Sequence, residues 1–325
     1  MDQVLRVEEL RTTFRIYGGT VYALDGVTFT IREGETLGMV GETGSGKSVT
    51  ALSVMRLIEP PGEIVSGRVL LEEEDLLTKS EEEMRKIRGS KIAMIFQDPM
   101  TSLDPVYRIG DQIAEVLMLH QHLDRNKALE RAVELLTAVG IPSPDRVSRI
   151  YPHEASGGMR QRAMIAMALS CQPRLLIADE PTTALDVTVE AQIIELMRNL
   201  KNETKSSIFF ITHNLGVVAQ FCDKVVVLYA GSVVESAPVS DLFSSPLHPY
   251  TQGLLESIPR IDRKRRPLPI ILGNVPSMTN PPTGCRFHPR CPQAMPRCRI
   301  KKPVLKEAQP NHFVSCFLFD GEEAH

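Results

Sequence analysis

The segment Gly41–Ser48, GETGSGKS, constrains this chain more than any other stretch of its sequence. It matches the phosphate-binding loop pattern G-x-x-x-x-G-K-[ST]. Glycines at Gly41, Gly44 and Gly46 allow a tight turn in which backbone N–H groups converge on an anion. The lysine brings a positive charge to the β- and γ-phosphates of a nucleotide, and Ser48 offers a hydroxyl to Mg²⁺. The sequence therefore predicts a nucleotide phosphate site.

Apolar runs on either side of this loop predict the elements around it. Residues 36–40 are typical of a buried strand that enters the loop, and residues 49–58 have the spacing of a helix that leaves it. Four short alternating stretches within residues 4–32 predict an antiparallel sheet beside the loop. Phe14 and Tyr17 fall near the tip of this sheet, where an aromatic ring either stacks on adenine, for about 1 kcal/mol, or packs as an ordinary residue.

Composition and charge narrow the class of protein. The chain has 325 residues, of which 42% are hydrophobic and 24% charged, as in a globular protein of one large domain with an appendage, or of two domains. Its formal net charge of -3 gives no case for nucleic-acid binding. The N-terminus does not resemble a secretory signal, and no apolar run is long enough to cross a bilayer. We therefore expect a protein that is soluble by itself, so that any membrane role would need partners.

Polar residues follow several further apolar runs that predict buried strands, namely Gln97, the pair Asp179 and Glu180, and His213. In a parallel α/β sheet, ligands bind at the carboxyl ends of the strands. Asp179 is placed to hold Mg²⁺, and Glu180 to polarise the water that attacks the γ-phosphate. Gln97 would reach Mg²⁺ or that water, and His213 the γ-phosphate. Each of these positions, taken alone, also suits an ordinary solvated turn.

A predicted helical region spans about residues 104–170, and its last helix begins after Ser156-Gly157-Gly158. A serine and two glycines at a helix N-terminus make a second anion site. Ser156 is equally suited to a simple N-cap.

Together these segments resemble the ATPase subunit of ATP-binding cassette transporters. The sequence departs from the family pattern at two positions. Ala155 stands where leucine is usual, and Asn214 stands where aspartate usually follows the switch histidine, His213. Neither change removes a phosphate contact. The resemblance implies an α/β fold with a RecA-like parallel sheet core, an antiparallel β subdomain and a helical subdomain. The matching motifs are Walker A (Gly41–Ser48), the Q-loop (Gln97), the signature (Ser156–Gln161), Walker B (175–179), the D-loop (184–186) and the switch histidine (His213).

The family resemblance also implies a nucleotide sandwiched between Walker A of one cassette and the signature of another. Catalytic roles then fall to Glu180, His213 and Gln97, and Mg²⁺ ligation to Ser48, Gln97 and Asp179. The implied ATP and Mg²⁺ contacts are Phe14, Tyr17, Gly41, Glu42, Thr43, Gly44, Ser45, Gly46, Lys47, Ser48, Val49, Gln97 and Asp179, together with Asp186 of the D-loop. The signature residues Ser156, Gly157, Gly158 and Gln161 are implied to act in trans.

Residues 88–105 and 248–255 look like the dipeptide/oligopeptide (and nickel) importer branch of the family. This implies an ATPase that powers peptide import, with nickel or oligosaccharide as alternative cargo. The implied partners are two membrane permeases, a second related cassette in a heterodimer and, indirectly, an extracytoplasmic binding protein, but no nucleic acid. The protein would lie peripherally on the cytoplasmic face of the membrane. A soluble cassette ATPase of DNA repair or translation, and a regulator that senses metal through its tail, are the competing hypotheses.

The cysteines Cys285, Cys291, Cys298 and Cys316 cluster near the C-terminus, spaced C-x5-C-x6-C-x17-C. A cytosolic nucleotide enzyme is not expected to keep disulfides, and the paired knuckles of small zinc sites are missing. Uneven gaps suit a [4Fe–4S] cluster, and the tail resembles the C-terminal extension of this branch. We expect a structural cluster, with zinc as the runner-up and unligated thiols as the remaining alternative. The predicted domains are the cassette, 1–258, and a regulatory or metal-cluster extension, 259–325.

Overall fold

The computed structural model describes residues 2–98, 102–183, 186–257 and 271–320. Within these residues, no helix is both long and apolar enough to cross a membrane. The predicted boundary at 258/259 and the D-loop residues Ala184 and Leu185 lie outside the described residues. The chain divides into two compact units. Unit 1 comprises the described parts of Met1–Val4, Arg32–Gly34 and Thr78–Ile211, and unit 2 those of Leu5–Ile31, Glu35–Leu77 and Thr212–His325.

The strands and helices below are numbered along the described residues. The strands are β1 Gln3–Ile16, β2 Gly19–Arg32, β3 Thr36–Val40, β4 Gly62–Leu71, β5 Glu74–Asp75, β6 Ile92–Ile95, β7 Leu175–Asp179, β8 Ser207–Ile211, β9 Lys224–Tyr229, β10 Ser232–Pro238, β11 Lys306–Gln309 and β12 His312–Val314. The α-helices are α1 Lys47–Val54, α2 Glu81–Ile87, α3 Ile109–Gln121, α4 Arg125–Ala138, α5 Pro144–Val147, α6 Gly157–Leu169, α7 Val187–Thr204, α8 Leu215–Phe221, α9 Val239–Ser244 and α10 Pro249–Glu256.

The first sheet of unit 2 has the strand order β2-β1-β4-β5, and β4 is antiparallel to both of its neighbours. The expected four short strands are in fact two long ones, β1 and β2. Left-handed backbone at Glu9 (φ 46°) and Gly26 (φ 75°) interrupts the alternation of side chains. The register of β1 against β4 also shifts between Glu8 and Thr12. Because a bulge lets a strand continue while its alternation changes, the sequence pattern divides each strand in two.

The second sheet of unit 2 carries the predicted phosphate loop. Strand β3, which enters the loop, is buried along its whole length and runs parallel to β9. Strand β10 is antiparallel to β9 on one side and to β12 on the other, and β12 pairs with β11. Strands β11 and β12 come from the predicted C-terminal extension. The extension therefore adds strands to the sheet that positions the loop.

An aromatic cluster in unit 2 joins the same extension to residues before it. The ring of Phe287 lies 5.1 Å from that of Tyr229 and 5.4 Å from that of Tyr250, measured between centroids. The two tyrosine rings are 4.6 Å apart. Phe287 is only 2% exposed. The proline-rich tail, expected to have little core of its own, thus shares this one.

Unit 1 contains a parallel ladder of β6, β7 and β8, in which Ile95 lies opposite Ala178 and Asp179 opposite Ile211. All three strands are fully buried, as expected for the parallel sheet core that the sequence predicts. The predicted helical region contains α3, α4 and α6, which pack against one another. Ser156 is the N-cap residue of α6, as the sequence pattern indicates, and Ser80 is the N-cap residue of α2.

Candidate nucleotide site

The backbone of the phosphate loop requires glycine at two positions. Gly41 follows β3 with φ 155°, and a Cβ added there would lie 2.1 Å from the carbonyl oxygen of Leu228. Gly46 is the N-cap of α1 with φ 106°, and a Cβ there would lie 2.9 Å from the carbonyl oxygen of Ala23. The protein's own packing, and not only the approach of a phosphate, therefore demands these glycines. The loop is thereby held against the rest of unit 2.

The polar side chains of the loop are arranged around its carbonyl groups. Lys47 is 6% exposed, and its Nζ donates to the carbonyl oxygens of Gly41 at 2.9 Å and Glu42 at 3.3 Å. The Oγ of Ser45 is buried and has no hydrogen-bond partner among the described residues. Buried hydroxyls are nearly always paired, so this atom suits a hydrogen bond to a bound group. An anionic phosphate fits both the lysine and this orphan hydroxyl.

Glu42 contacts distant parts of unit 2 through both its backbone and its side chain. Its backbone N–H donates to the hydroxyl of Tyr250 at 2.9 Å. Its carboxylate pairs with Arg290 through two hydrogen bonds, of 2.8 and 3.2 Å. Sequence reasoning missed both partners as site residues. Tyr250 lies in a segment used only to define the family branch, and Arg290 carries no recognisable spacing signal.

The remaining loop positions lie on its open side. Thr43 and Gly44 are exposed, and Ser48 and Val49 are half-buried at the start of α1. The N-terminus of α1 has no acidic residue in its first turn, so its positive end is not neutralised there. These features suit the predicted anion site.

The predicted catalytic residues Gln97 and Glu180 lie together in unit 1. Glu180 follows β7 with a left-handed backbone, φ 47°, and its N–H donates to the carbonyl oxygen of Ile211 at 2.9 Å. Its Oε2 accepts hydrogen bonds from Nε2 of Gln97 at 3.1 Å and Oγ1 of Thr183 at 2.9 Å. Asp179, at the end of the strand, is 4% exposed. Backbone strain at an oriented carboxylate is typical of functional sites.

Thr183 is a further residue that sequence reasoning missed. Its backbone N–H donates to the carbonyl oxygen of Glu180 at 3.1 Å, so the two residues close one turn. A threonine three residues after a strand-end acid is a weak signal, but in a turn it places the hydroxyl within reach of the carboxylate. Two donors therefore fix the orientation of one carboxylate oxygen.

The predicted signature residues begin helix α6 in unit 1. Ser156 caps the helix, its Oγ accepting the N–H of Met159 at 3.3 Å. A Cβ at Gly157 would meet no heavy atom within 4 Å, so this position opens onto free space. Gly158 is half-buried, and Gln161 is 2% exposed with an Nε2 that has no hydrogen-bond partner in the part of the chain described. The capping role is thus present, and the predicted contact in trans remains a prediction.

Two other predicted positions lie at helix starts. Asp186 caps α7, its carboxylate accepting the N–H groups of Thr188 and Val189, each at 3.0 Å. His213 is exposed and lies just before α8, in unit 2. Asn214 caps α8 through its Oδ1, so the substitution of the usual aspartate keeps the local hydrogen bonds.

The two candidate base-stacking aromatics differ in their surroundings. Phe14 pairs with Gly62 across β1 and β4, and a Cβ at Gly62 would lie 2.5 Å from its ring. Tyr17 lies at the turn after β1 and is fully exposed. The ring of Tyr17 is thus available on both faces, whereas that of Phe14 covers Gly62.

The clustered cysteines line one small cavity in unit 2, together with His288. The cavity has a volume of about 10 Å³, roughly room for one water molecule. Burial raises the pKa of each of the thiols Cys285, Cys291 and Cys316, that of Cys316 to about 11. The described residues include no group of three or more His, Cys, Asp or Glu side chains placed to hold a metal ion. Four cysteine thiols are suitable donors for a thiolate-bound metal. The distances between them in this structure are not those of a formed coordination shell.

A phosphate loop that opens a helix, and strand-end carboxylates on a buried parallel sheet, define the class of phosphate-loop nucleotide-binding proteins. The family model described as "ABC transporter" matches residues 24–183, and that described as "Oligopeptide/dipeptide transporter, C-terminal region" matches residues 234–298. Among solved structures, a dimer of the ATP-binding cassette MJ0796 in a post-hydrolysis state, bound to ADP and Pi, matches with a TM-score of 0.66 and 26% identity. That match covers 72% of this chain and 98% of the other.

Curated relatives match along the whole chain. The oligopeptide transport ATP-binding protein AppD of Bacillus subtilis (strain 168) is 52% identical over 325 residues, which cover 100% of this chain and 99% of that protein. The dipeptide transport ATP-binding protein DppD of the same strain is 48% identical, with 100% and 97% coverage. The chain therefore belongs to the family of ABC transporter ATP-binding proteins. The cassette fold and the ATPase family predicted from the motifs are confirmed.

Proposed function

We propose that this protein binds and hydrolyses ATP to power the import of peptides through partner permeases. The observation that carries the proposal is the end-to-end similarity to an oligopeptide transport ATP-binding protein, at 52% identity. The phosphate loop supports the nucleotide part of the proposal independently, since a buried lysine and an orphan Ser45 hydroxyl are suited to a bound anion. No feature of the described residues favours nickel or oligosaccharide over peptide.

Lys47 has the first role in this proposal. Its ammonium group donates to two loop carbonyls and exchanges these hydrogen bonds for bonds to the β- and γ-phosphates when the nucleotide enters. Mg²⁺, bound with the nucleotide through Ser48, Gln97 and Asp179, would neutralise charge that develops on the phosphates. The exchange of neutral acceptors for an anionic one strengthens the hydrogen bonds of the lysine.

Glu180 is the proposed general base. Gln97 and Thr183 both donate to its Oε2, so the carboxylate is held in one orientation before a water molecule is engaged. A positioned general base contributes roughly a 10²- to 10⁴-fold rate enhancement. The role of His213, a contact to the γ-phosphate, rests on the family resemblance.

Two variants test the nucleotide chemistry. Lys47→Ala should lose affinity for Mg²⁺-ATP in isothermal titration calorimetry, whereas Lys301→Ala, an exposed lysine of the extension, should bind as the wild type does. Glu180→Gln should bind ATP but lose turnover, because the amide keeps the shape and loses the base. Unchanged binding by the Lys47 variant would contradict the loop assignment. ATPase activity in Glu180→Gln above about a tenth of wild type would contradict the role of the base.

The partners and cargo need a transport assay. We propose two permeases, a second related cassette and an extracytoplasmic binding protein, with this chain lying on the cytoplasmic face of the membrane. Reconstituted with these partners, the complex should take up di- and oligopeptides in an ATP-dependent way. Uptake of only nickel or an oligosaccharide would contradict the proposed peptide cargo. A homodimer that fully supports transport would contradict the proposed heterodimer.

We also propose a structural [4Fe–4S] cluster on Cys285, Cys291, Cys298 and Cys316. Support comes from the uneven spacing in the sequence and from the position of all four thiols around one cavity, which would have to widen beyond its volume of about 10 Å³ to hold the cluster. A bound metal would favour the thiolates that burial alone disfavours. Protein purified without oxygen should be brown, with about four irons per chain. A colourless preparation with one zinc per chain would replace the cluster by the runner-up, zinc.

A further inference from the structure

The phosphate loop of this chain contains a carboxylate, on Glu42. A nucleotide brings several negative charges to the same loop, and like charges that share a partly buried site repel one another. The side chain of Glu42 is 25% exposed, so water screens it only in part. A carboxylate in this position would weaken nucleotide binding unless its charge were neutralised.

Arg290 of the C-terminal extension supplies the neutralising charge. Its Nη1 lies 2.8 Å from Oε2 of Glu42 and its Nη2 lies 3.2 Å from Oε1, which makes the pair bidentate. The side chain of Arg290 is 6% exposed, so the pair is far less screened than a surface ion pair. Paired donors of this kind fix geometry as well as charge.

Arg290 is itself held in place by the extension and by the sheet. Its Nε donates to the carbonyl oxygen of Leu272 at 3.0 Å, and its Nη2 to that of Ile271 at 3.2 Å. Its Nη1 also lies 3.4 Å from the hydroxyl of Tyr229, and the guanidinium carbon lies 5.8 Å from the centroid of that ring. The guanidinium is therefore fixed independently of Glu42.

A second arginine of the extension is linked to the phosphate loop at Ser45, through one intervening turn. Arg286, 8% exposed, donates to the carbonyl oxygen of Ala230 and lies 3.2 Å from Oδ2 of Asp25. Gly231, which follows Ala230 in the chain, donates its N–H to the carbonyl oxygen of Ser45 at 2.8 Å. The extension thus contacts the loop directly at Glu42 and, through this turn, at Ser45.

We propose that Arg290 is a positioning residue for nucleotide binding, which neutralises Glu42 and fixes the first turn of the phosphate loop. The C-terminal extension is then a part of the nucleotide site and not only an appendage to the cassette. This inference rests on the proposed binding of ATP at the same loop.

The test measures Mg²⁺-ADP affinity by calorimetry in the full-length chain, because ADP is not hydrolysed. Arg290→Met should bind about tenfold more weakly than the wild type, and the deficit should shrink as salt is raised. Arg299→Met, the same change at an exposed arginine of the extension, should leave affinity unchanged. Arg290→Lys, which restores the charge but not the fork, should fall between Arg290→Met and wild type.

Neutralisation is distinguished from simple packing by removing the carboxylate. The double variant Arg290→Met/Glu42→Gln should recover affinity to within about threefold of Glu42→Gln alone. Wild-type affinity in Arg290→Met, or no recovery in the double variant, overturns the inference. If Arg290→Met fails to fold, the lysine and double variants decide. Failure of the wild type to bind ADP would instead reject the proposed function.

Discussion

Acid should destabilise this protein through His248, which lies at the start of α10 and is 1% exposed. Its Nδ1 accepts the backbone N–H of Tyr250 at 3.0 Å, and its ring lies 5.6 Å from that of Phe287. The backbone N–H of His248 donates to Oε2 of Glu235 at 2.9 Å. Burial lowers the pKa of the imidazole from 6.5 to about 3. The folded protein therefore keeps this ring neutral at pH values where the unfolded chain protonates it.

The sign and size of the effect follow from this difference in pKa. Between about pH 6.5 and pH 3 the unfolded state binds more protons, so the free energy of unfolding falls as the pH falls. The stability that comes from keeping His248 neutral is fully present above pH 6.5. Each pH unit below pH 6.5 lowers the free energy of unfolding by up to about 1.4 kcal/mol. At pH 5, about 1.5 units below the unfolded pKa, the loss relative to pH 7 is therefore about 2 kcal/mol.

The assay is urea unfolding at pH 7 and pH 5 for the wild type and His248→Asn. Asparagine keeps an oxygen that can cap the helix but does not titrate. The stability advantage of the wild type should therefore shrink by about 2 kcal/mol on acidification. His153→Asn, at an exposed histidine, should show no comparable change. An advantage that is equal at the two pH values would refute the assignment.

Three further variants test other contacts. Phe287→Ala should lower the free energy of unfolding by about 3–5 kcal/mol, because it empties the cluster with Tyr229 and Tyr250, whereas Leu318→Ala, at a residue 40% exposed, should lower it by less than about 1 kcal/mol. Thr183→Ala should lower ATPase turnover several-fold and leave ADP affinity unchanged; unchanged turnover would reject its role in orienting Glu180. Ser156→Arg should leave ATP binding by the monomer intact and block the ATP-trapped dimer in gel filtration of a Glu180→Gln background; a dimer that still forms would contradict action in trans.

Local sequence patterns were enough to predict the parts of the candidate site that depend on neighbouring residues. The glycines of the phosphate loop, the strand that ends at Asp179 and the cap at Ser156 each depend on residues within a few positions, and the structure contains all of these elements. Backbone conformation and capping are short-range effects, so local patterns predict them. The left-handed residues that interrupt β1 and β2 are the exception, because a left-handed Glu9 leaves no mark in composition.

Which of these parts come into contact depends on long-range packing. Gln97 contacts Glu180 across 83 positions, and Arg290 contacts Glu42 across 248. Contacts of that range depend on sheet register and on the packing of Phe287 against Tyr229, which no local pattern contains. The extension lies far from every nucleotide motif along the sequence. Folding brings its arginines to the phosphate loop, because β12 pairs with β10 in the sheet that carries that loop.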